Sequence, residues 1–464
     1  GGLGKVFEYF GEGLASLNIR DRSTITNMGA EMGATTSIFP SDEMVRGFFE
    51  REGRGSDWVG LTADGDADYD SLEEIDLSEL EPLAALPDMP DKVRPVSELR
   101  NVKIDQVFIG SCTNASYTDF VKAARILGGR CANENVSFVA APGSRQIFLE
   151  LLRDGVIAKL VESGARIMEC GCGACVGIGQ APQTNGVSLR TSNRNFKGRS
   201  GTLESSIYLC SPEVAAASAL TGYITAPSEV CDCSVLENIT EPAPFAIDDR
   251  LVVEPAADGK DVEIIRGPNI KPMPVNDPLP DELRLRISAK RGDNVTTDDI
   301  IPANAKFSAL RSNIPAISEI TFGRIDPGFA ARCREYGPSA IVGGENYGQG
   351  SSREHAAIAP MYLGVKAVIA KSMARIHKNN LVNHGVLPLL FENGAELDSL
   401  SEGDTLLISS VHDGLRSGGL KVTHVESGRS FAVKTELTPR EKEIIIAGGA
   451  LRMAKTRLAQ AKER

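Results

Sequence analysis

The pattern of apolar and polar positions divides the chain into two blocks in which strands and helices alternate. Short apolar runs predict strands at 104–110, 135–141, just before Cys170, 339–343, 366–370 and 386–391. Amphipathic stretches predict helices at 115–127, 144–153, 155–163, about 353–363, about 373–383 and 438–462. Strands that alternate with helices indicate parallel sheets, so the fold class is predicted to be α/β.

Proline and acidic residues are concentrated between the two blocks, which indicates an extended linker rather than a packed element. A shorter proline-rich stretch at 86–97 marks a further boundary nearer the start. The sequence therefore predicts an N-terminal part, an α/β domain, a linker and a C-terminal α/β domain, at 1–88, 89–235, 236–278 and 279–464.

Composition narrows the classes of function. The 464 residues are 42% hydrophobic and carry a net charge of −12, so neither nucleic acid nor an anionic membrane is an expected partner. The sequence has no run of eighteen apolar residues, so no membrane span is predicted. Its nine cysteines are too few for a disulfide scaffold and favour metal or redox chemistry in a reducing compartment, and a cytoplasmic location is expected.

The strongest chemical motif is the sequence Cys172-Gly173-Ala174-Cys175. A C-x-x-C turn can bring two sulfurs onto one metal or cluster, although a redox pair or two buried thiols remain alternatives. Cys112 lies on a loop after a predicted strand, where parallel sheets place their ligands. Three thiols on a four-iron cube would leave one iron open as a Lewis acid.

Two further loops have the composition of anion-binding sites. The segment 192–199 (SNRNFKGR) holds Arg194 and Arg199, which can fork onto a carboxylate, although a solvated basic loop is the alternative. The segment 344–355 (GENYGQGSSREH) leaves a strand and enters a helix, with Ser351 and Ser352 predicted at its N-cap. The alternative there is a simple capping box between Ser351 and Glu354.

Taken together, these motifs resemble those of the aconitase family, and their order along the chain matches it as well. The resemblance rests on 27–36, 110–114, 172–177, 193–199, 348–355 and 371–377. It implies a multi-domain aconitase-like fold with parallel and mixed sheets, followed by a C-terminal swivelling α/β domain. The likeness is greatest to bacterial single-chain members.

The resemblance also implies a role for each matching residue. Cys112, Cys172 and Cys175 would ligate a [4Fe–4S] cluster, Asn27 and Asn193 would lie beside it, and Glu31 would lie near the open iron. Substrate carboxylates would be held by Arg194, Arg199 and Arg353. Arg311 would hold a further carboxylate, from a loop whose length differs from that of the better-known mitochondrial members. Ser351 would be the catalytic base, and Ser352 would contact the substrate. Cys170 matches no ligand of the family and is expected to be structural.

The activity that the resemblance implies is that of a hydro-lyase that interconverts citrate and isocitrate through cis-aconitate. A related hydro-lyase (homoaconitase or 3-isopropylmalate dehydratase) and an RNA-binding regulator are the alternatives. The expected partner is a small tricarboxylate, and a monomer is expected. Family members carry an earlier segment with His–Asp pairs that has no counterpart after Gly1, so the site in this chain is expected to be incomplete.

Overall fold

The computed structural model of the chain consists of two compact units, Gly1–Pro255 and Ala256–Arg464. The structure describes residues 2, 4–260, 262–302, 307, 309–350 and 353–462. The boundary between the units falls inside the segment predicted as a linker, 236–278. The division into four parts stays a prediction.

The first unit is built around a seven-stranded mixed sheet with the order β4-β3-β9-β8-β5-β6-β7. Strands β9, β8, β5, β6 and β7 are parallel, whereas β3 runs antiparallel to both of its neighbours. A separate parallel pair is formed by β1 and β2. The strands are β1 (Val6–Glu8), β2 (Thr36–Ile38), β3 (Leu83–Ala85), β4 (Val93–Pro95), β5 (Gln106–Ile109), β6 (Ser137–Ala140), β7 (Arg166–Ile167), β8 (Val187–Arg190) and β9 (Ser206–Cys210).

The caps of helix α3 show how a helix of the first unit begins and ends, because they bind backbone N–H and C=O groups that have no partner within the helix. Helix α3 begins after Ser116, which forms a capping box with Asp119, and it ends at Gly128 in the left-handed conformation. Its buried face, which includes Phe120 and Leu127, joins the core beneath the sheet. The helices are α1 (Ile19–Gly29), α2 (Glu43–Arg51), α3 (Tyr117–Leu127), α4 (Arg145–Arg153), α5 (Val156–Glu162) and α6 (Pro212–Thr221).

The sheet of the first unit reverses its direction of winding between β5 and β8. The chain passes from β5 to β6 and β7 on one side of this point, and from β8 to β9 on the other. The loops that follow β5 and β8 therefore diverge, which opens a crevice at the carboxyl ends of the strands. In open α/β sheets, ligands bind at such a switch point.

The second unit contains a closed seven-stranded barrel with the order β10-β11-β12-β13-β16-β15-β14. Strands β10 to β13 are parallel neighbours, and the antiparallel hairpins of β14, β15 and β16 close the circle between β13 and β10. Alternate side chains of β10 are buried in the core, among them Leu283, Leu285 and Ile287. The strands are β10 (Leu283–Lys290), β11 (Ser339–Gly343), β12 (Val365–Ala370), β13 (Leu387–Phe391), β14 (Thr405–Ile408), β15 (Gly419–His424) and β16 (Ser430–Lys434).

The helices that the structure describes in the second unit are four to thirteen residues long, and they lie between the barrel strands or after them along the chain. They are α7 (Thr297–Ile300), α8 (Ile314–Ser318), α9 (Phe329–Tyr336), α10 (His355–Tyr362), α11 (Arg375–Asn383), α12 (Val411–Ser417), α13 (Pro439–Ile446) and α14 (Ala450–Lys462). None of the helices in the described part of the chain has the length and apolar character needed to cross a membrane.

The predicted α/β class with parallel and mixed sheets is confirmed, and the strand predicted at 339–343 has the predicted bounds. The single helix predicted at 438–462 is wrong, because two helices occupy that segment. Gly448 and Gly449, with φ of +88° and +114°, separate them. Both glycines approach other backbone closely: an added Cβ would lie 2.4 Å from Asp277 O at the first and 2.6 Å from Asn383 O at the second. The chain therefore turns where a continuous helix would collide with its neighbours.

Candidate functional site

The loop that carries Cys112 leaves the carboxyl end of β5 at the switch point. The Thr191 hydroxyl binds both backbone groups of Gly110, 2.9 Å from its nitrogen and 3.0 Å from its oxygen. A side chain at Gly110 would collide with the Phe108 ring, which lies 2.6 Å from the position of its Cβ. Ser111 is buried with φ of +87°, so the backbone turns sharply there and leaves Cys112 exposed in the crevice.

Helix α1 places Asn27 beside this cysteine. The Asn27 Oδ1 atom lies 3.8 Å from Cys112 Sγ and accepts a hydrogen bond of 2.9 Å from the Thr113 hydroxyl. Thr24, one turn earlier on the same helix, donates to the Thr113 carbonyl at 2.8 Å. The helix and the cysteine loop are therefore joined at two points, which fixes the end of α1 above the crevice.

Glu31 follows α1 and is paired with the loop after β8. Its Oε1 atom accepts hydrogen bonds from Asn193 Nδ2 at 2.9 Å and from Arg194 Nε at 2.8 Å. The Glu31 side chain is 13% exposed, so the ion pair with Arg194 is largely removed from solvent. The structure thus places Asn27 beside the exposed thiol of Cys112, and it joins Glu31, four residues further along the chain, to Asn193 and Arg194.

The Cys172–Cys175 turn is joined to the carboxyl end of β8, where Arg190 donates to Ala174 O. Cys175 is buried against Phe108, Val139 and Ala141, whereas Cys172 is exposed. The turn ends at Gly177, which has φ of +84° and whose added Cβ would lie 2.0 Å from Ser200 O. Only glycine fits both that conformation and that close approach.

Arg199 reaches the thiol of Cys175 from the loop after β8. One of its terminal nitrogens lies 3.5 Å from Cys175 Sγ, and within the described part of the chain its Nε is buried without a hydrogen-bond partner. The Arg199 guanidinium therefore donates towards this sulfur. Cys170 differs, because desolvation of its sulfur raises the pKa of its thiol and so disfavours the ligating form.

Arg190 is a functional residue that the sequence did not single out. Its guanidinium is fully buried, lies over the Phe108 ring, and donates to Ala174 O at 2.7 Å and to Gln180 O at 2.9 Å. Burial lowers its pKa to about 10, so it remains cationic at neutral pH. Arg190 holds the C-x-x-C turn in place, and its position at the end of an apolar strand gave no sign of this role.

The spacing of the three candidate thiols distinguishes between kinds of metal site. Among the described residues, the sulfurs of Cys112, Cys172 and Cys175 do not all lie within 4.8 Å of one another. A single tetrahedral ion bonds each thiolate at about 2.3 Å, so sulfurs that share it lie within about 4.6 Å of each other. A polynuclear cluster instead gives each sulfur its own metal atom. Three free thiols that are not gathered within this distance therefore fit a cluster better than one ion.

In the second unit, the glycine-rich loop after β11 packs tightly against two other segments. An added Cβ at Gly344 would lie 2.0 Å from Asp293 Oδ1, and one at Gly348 would lie 2.3 Å from the His377 ring. The Gly348 nitrogen donates to Val295 O at 2.7 Å. Burial lowers the pKa of His377 to about 4, so this ring is neutral and acts as a packing surface for the loop.

Arg353 is the candidate carboxylate ligand that the structure describes at the end of this loop. It forms an ion pair with Asp298 at 2.5 Å and donates to Ile301 O at 3.0 Å. Arg311 is exposed, and its backbone carbonyl lies 2.9 Å from His355 Nε2. The first unit and the second therefore each present candidate arginines, and Asp298 is a carboxylate partner of Arg353 in the second.

The predicted helix start at the serine pair is wrong, because α10 begins at His355 with Glu354 at its N-cap. The Glu354 carboxylate lies 2.9 Å from His384 Nε2, and this pairing with a distant histidine was not visible in the local sequence. Ser351 and Ser352 lie outside the described residues, so their predicted roles stay predictions.

An open α/β sheet with thiols and arginines at its switch point has the residues of a ligand-binding site, and comparison with known proteins identifies the family of the chain. The sequence model of the aconitase family (aconitate hydratase) matches residues 1–222, and that of the aconitase C-terminal domain matches 328–394. The chain is 32% identical over 96% of its length to homocitrate dehydratase, mitochondrial, from Saccharomyces cerevisiae, of which it covers 65%.

Two further relatives show how the likeness is distributed. The chain is 46% identical over 48% of its length to 3-isopropylmalate dehydratase large subunit 1 from Thermotoga maritima, of which it covers 54%. It is 31% identical over 99% of its length to a probable aconitate hydratase, mitochondrial, from Dictyostelium discoideum, of which it covers 68%. The chain belongs to the aconitase family. It spans about two thirds of the length of the homocitrate dehydratase and about half of that of the 3-isopropylmalate dehydratase subunit.

The geometry of Gly177 predicts how the C-x-x-C turn responds to substitution. We expect Gly177→Ala to lower the free energy of unfolding by more than the roughly 1–2 kcal/mol of a left-handed alanine, because its Cβ would also displace the Ser200 backbone. Gly179→Ala is the matched control, since Gly179 has φ of +70° but its added Cβ would make an ordinary 3.4 Å contact with Met168. Urea unfolding measures both, and equal costs would contradict the packing argument.

Proposed function

We propose that this chain is the cluster-binding and substrate-binding part of a hydro-lyase that interconverts citrate and isocitrate through cis-aconitate. The observation that carries the proposal is that the loops after β5 and β8 both begin at the switch point of the sheet. One brings Cys112, and the other brings Asn193, Arg194 and Arg199. We propose a reducing compartment, the cytoplasm, because all nine cysteines are free thiols.

The thiols of Cys112, Cys172 and Cys175 would hold a [4Fe–4S] cluster, which supplies a Lewis-acidic iron to a hydroxyl and a carboxylate of the substrate. Arg199, whose guanidinium contacts the sulfur of Cys175, would hold a substrate carboxylate beside the cluster. Asn27 and Asn193 would line the cluster pocket with amide groups. Glu31, held by Asn193 and Arg194, would be the carboxylate nearest to the departing hydroxyl.

The arginines would recognise the substrate by its carboxylates. The chain carries a net charge of −12, so a tricarboxylate needs local positive charge to approach it. Arg194 and Arg353 are each held by a carboxylate, Glu31 and Asp298 respectively, which orients their guanidinium groups before substrate arrives. We assign the contact with the third substrate carboxylate to Arg311. That contact would distinguish a tricarboxylate from a substrate that lacks this carboxylate.

Ser351 would remove the proton from the carbon next to a substrate carboxylate, and Ser352 would contact the substrate. A serine hydroxyl is a weak base, so this step needs an environment that stabilises its alkoxide by several kcal/mol. Arg353, two residues further on, is a cation that remains charged at any physiological pH. This assignment rests on the family resemblance of 348–355.

A second candidate substrate has a specific observation in its favour. The relative named homocitrate dehydratase matches 96% of the chain at 32% identity, a likeness as great as that to relatives named aconitate hydratase. Homocitrate also carries three carboxylates, so arginines that hold citrate can hold it too. The two candidates differ in the length of the carbon chain rather than in charge.

The ligand assignment predicts the behaviour of Cys112→Ser. After anaerobic reconstitution with iron and sulfide, we expect this variant to retain no more than about one tenth of the iron that the unaltered chain retains, because a neutral hydroxyl replaces a thiolate ligand. Cys131→Ser is the control, since Cys131 is an exposed thiol outside the crevice. Iron analysis after desalting measures retention. Full iron content in Cys112→Ser would remove this residue from the ligand set.

The substrate class predicts an order of affinities for the reconstituted chain. Citrate is expected to bind more tightly than isopropylmalate. We expect Arg199→Gln to weaken citrate binding about 10–100-fold, because the variant loses a charge-assisted hydrogen bond to the substrate. Arg250→Gln is the matched control, because Arg250 is 82% exposed and pairs with its neighbour Asp248. Calorimetry with citrate, homocitrate and isopropylmalate measures these values. Equal affinity for isopropylmalate and citrate would favour the isopropylmalate alternative.

The proposed base predicts a variant that binds but does not turn over. We expect Ser351→Ala to keep its iron and its citrate affinity while hydration of cis-aconitate falls about 10²–10⁴-fold. Ser417→Ala, an exposed serine at the end of α12, is the control and is expected to keep full activity. Wild-type turnover in Ser351→Ala would remove this residue as the base.

A further inference from the structure

Three metal-ligating side chains meet at one end of the barrel, on a hairpin that the proposed reaction does not use. Asp404 immediately precedes β14, His424 ends β15, and Glu426 lies in the turn between β15 and β16. The pairing of Leu406 with His424 across the two strands brings these positions together. One ligand atom from each of the three residues lies within 4.8 Å of the other two, a geometry that no other such group among the described residues shares.

The separations within this group match those around a single small cation. His424 Nε2 lies 3.1 Å from Asp404 Oδ2 and 3.3 Å from Glu426 Oε2. Zinc bonds imidazole nitrogen and carboxylate oxygen at about 2.0–2.2 Å, so two ligands at a tetrahedral angle lie about 3.3–3.5 Å apart. An ion can therefore occupy the space between the three atoms after adjustments of a few tenths of an ångström.

The hydrogen bonding of His424 leaves its inner nitrogen available. In the described part of the chain, Nε2 is buried and has no hydrogen-bond partner of acceptable geometry, although two carboxylates are close to it. The other ring nitrogen, Nδ1, lies 2.8 Å from the hydroxyl of Ser427. A metal-bound histidine has this arrangement, in which the outer nitrogen is fixed by a neighbour and the inner lone pair faces the ion.

Backbone groups hold the two carboxylates in place as well. The Thr405 nitrogen donates to both oxygens of Glu426, at 3.0 and 2.9 Å, and the Ser401 nitrogen donates to Asp404 Oδ2 at 2.7 Å. Ligands that are already oriented lose little freedom when an ion binds. The side chain of Glu426 is 48% exposed, which leaves a path from solvent to the site.

We propose that Asp404, His424 and Glu426 form a binding site for a divalent transition-metal ion, best matched by Zn²⁺. One nitrogen and two oxygens are ligands that zinc accepts, and solvent can supply the fourth. This site is separate from the thiols of the first unit and does not depend on the proposed activity. The competing arrangement is a protonated His424 that pairs with both carboxylates and binds no metal.

The test measures zinc binding to the full chain after the thiol site has been removed by Cys112→Ser, Cys172→Ser and Cys175→Ser. Equilibrium dialysis against Zn²⁺ is expected to show one tightly bound ion per chain. Adding His424→Gln is expected to weaken this binding at least about 10-fold. His412→Gln is the matched control, because His412 lies 3.8 Å from a single carboxylate, Asp281, and is expected to leave zinc affinity unchanged.

Glu426→Gln provides a second variant at an exposed position, and it is also expected to weaken binding at least about 10-fold while the chain stays folded by circular dichroism. Zinc is further expected to raise the unfolding temperature of the thiol-free chain and not that of His424→Gln. The proposal is overturned by an absence of bound zinc in the thiol-free chain, or by equal zinc affinity with and without His424.

Discussion

The divergence of the chain after β5 and β8 is the constraint on which the candidate site depends. Because the two strands are parallel neighbours whose connections leave in opposite directions, their carboxyl ends cannot be covered by either connection. The Thr191 hydroxyl, bonded to both backbone groups of Gly110, ties the two loops together at the point where they separate. The crevice is therefore open but rigid, and small residues at Gly110 and Ser111 let Cys112 reach it.

A buried cation fixes the second cysteine loop in the same place. Arg190 has no carboxylate partner among the contacts that hold it, and its charge is instead solvated by the carbonyls of Ala174 and Gln180 and the amide oxygen of Gln106. Breaking such an arrangement leaves an uncompensated charge in the core, which is costly. The C-x-x-C turn is thus held by its backbone, and the sulfurs of Cys172 and Cys175 are not needed for its conformation.

The sequence predicted what depends on local pattern and missed what depends on long-range pairing. The run 339–343 has an apolar centre and is a barrel strand that is buried throughout, as its pattern predicted. Strand β10 has an alternating pattern, but it lies directly after the proline-rich segment, and its role follows only from pairing with β14 more than a hundred residues later. Cys112 was singled out by its place after a predicted strand, and Glu31 only by the family resemblance, and the roles of both stay predictions. Arg190 and Thr191 were missed, because an arginine or threonine at a strand end has no distinguishing pattern.

The ion pairs of the candidate arginines bear on which ligands such a site would select. Arg194 is paired with Glu31 and Arg353 with Asp298, so a substrate carboxylate must compete with a resident carboxylate or share the guanidinium with it. In a chain with net charge −12, one carboxylate gains little from such an exchange. Arg199 lies on the same loop as Arg194, so a ligand with two carboxylates could engage both, and only its first contact would carry the full entropic cost of association. The pairing of Arg194 with Glu31 in the free protein would therefore favour polycarboxylates over simple acids.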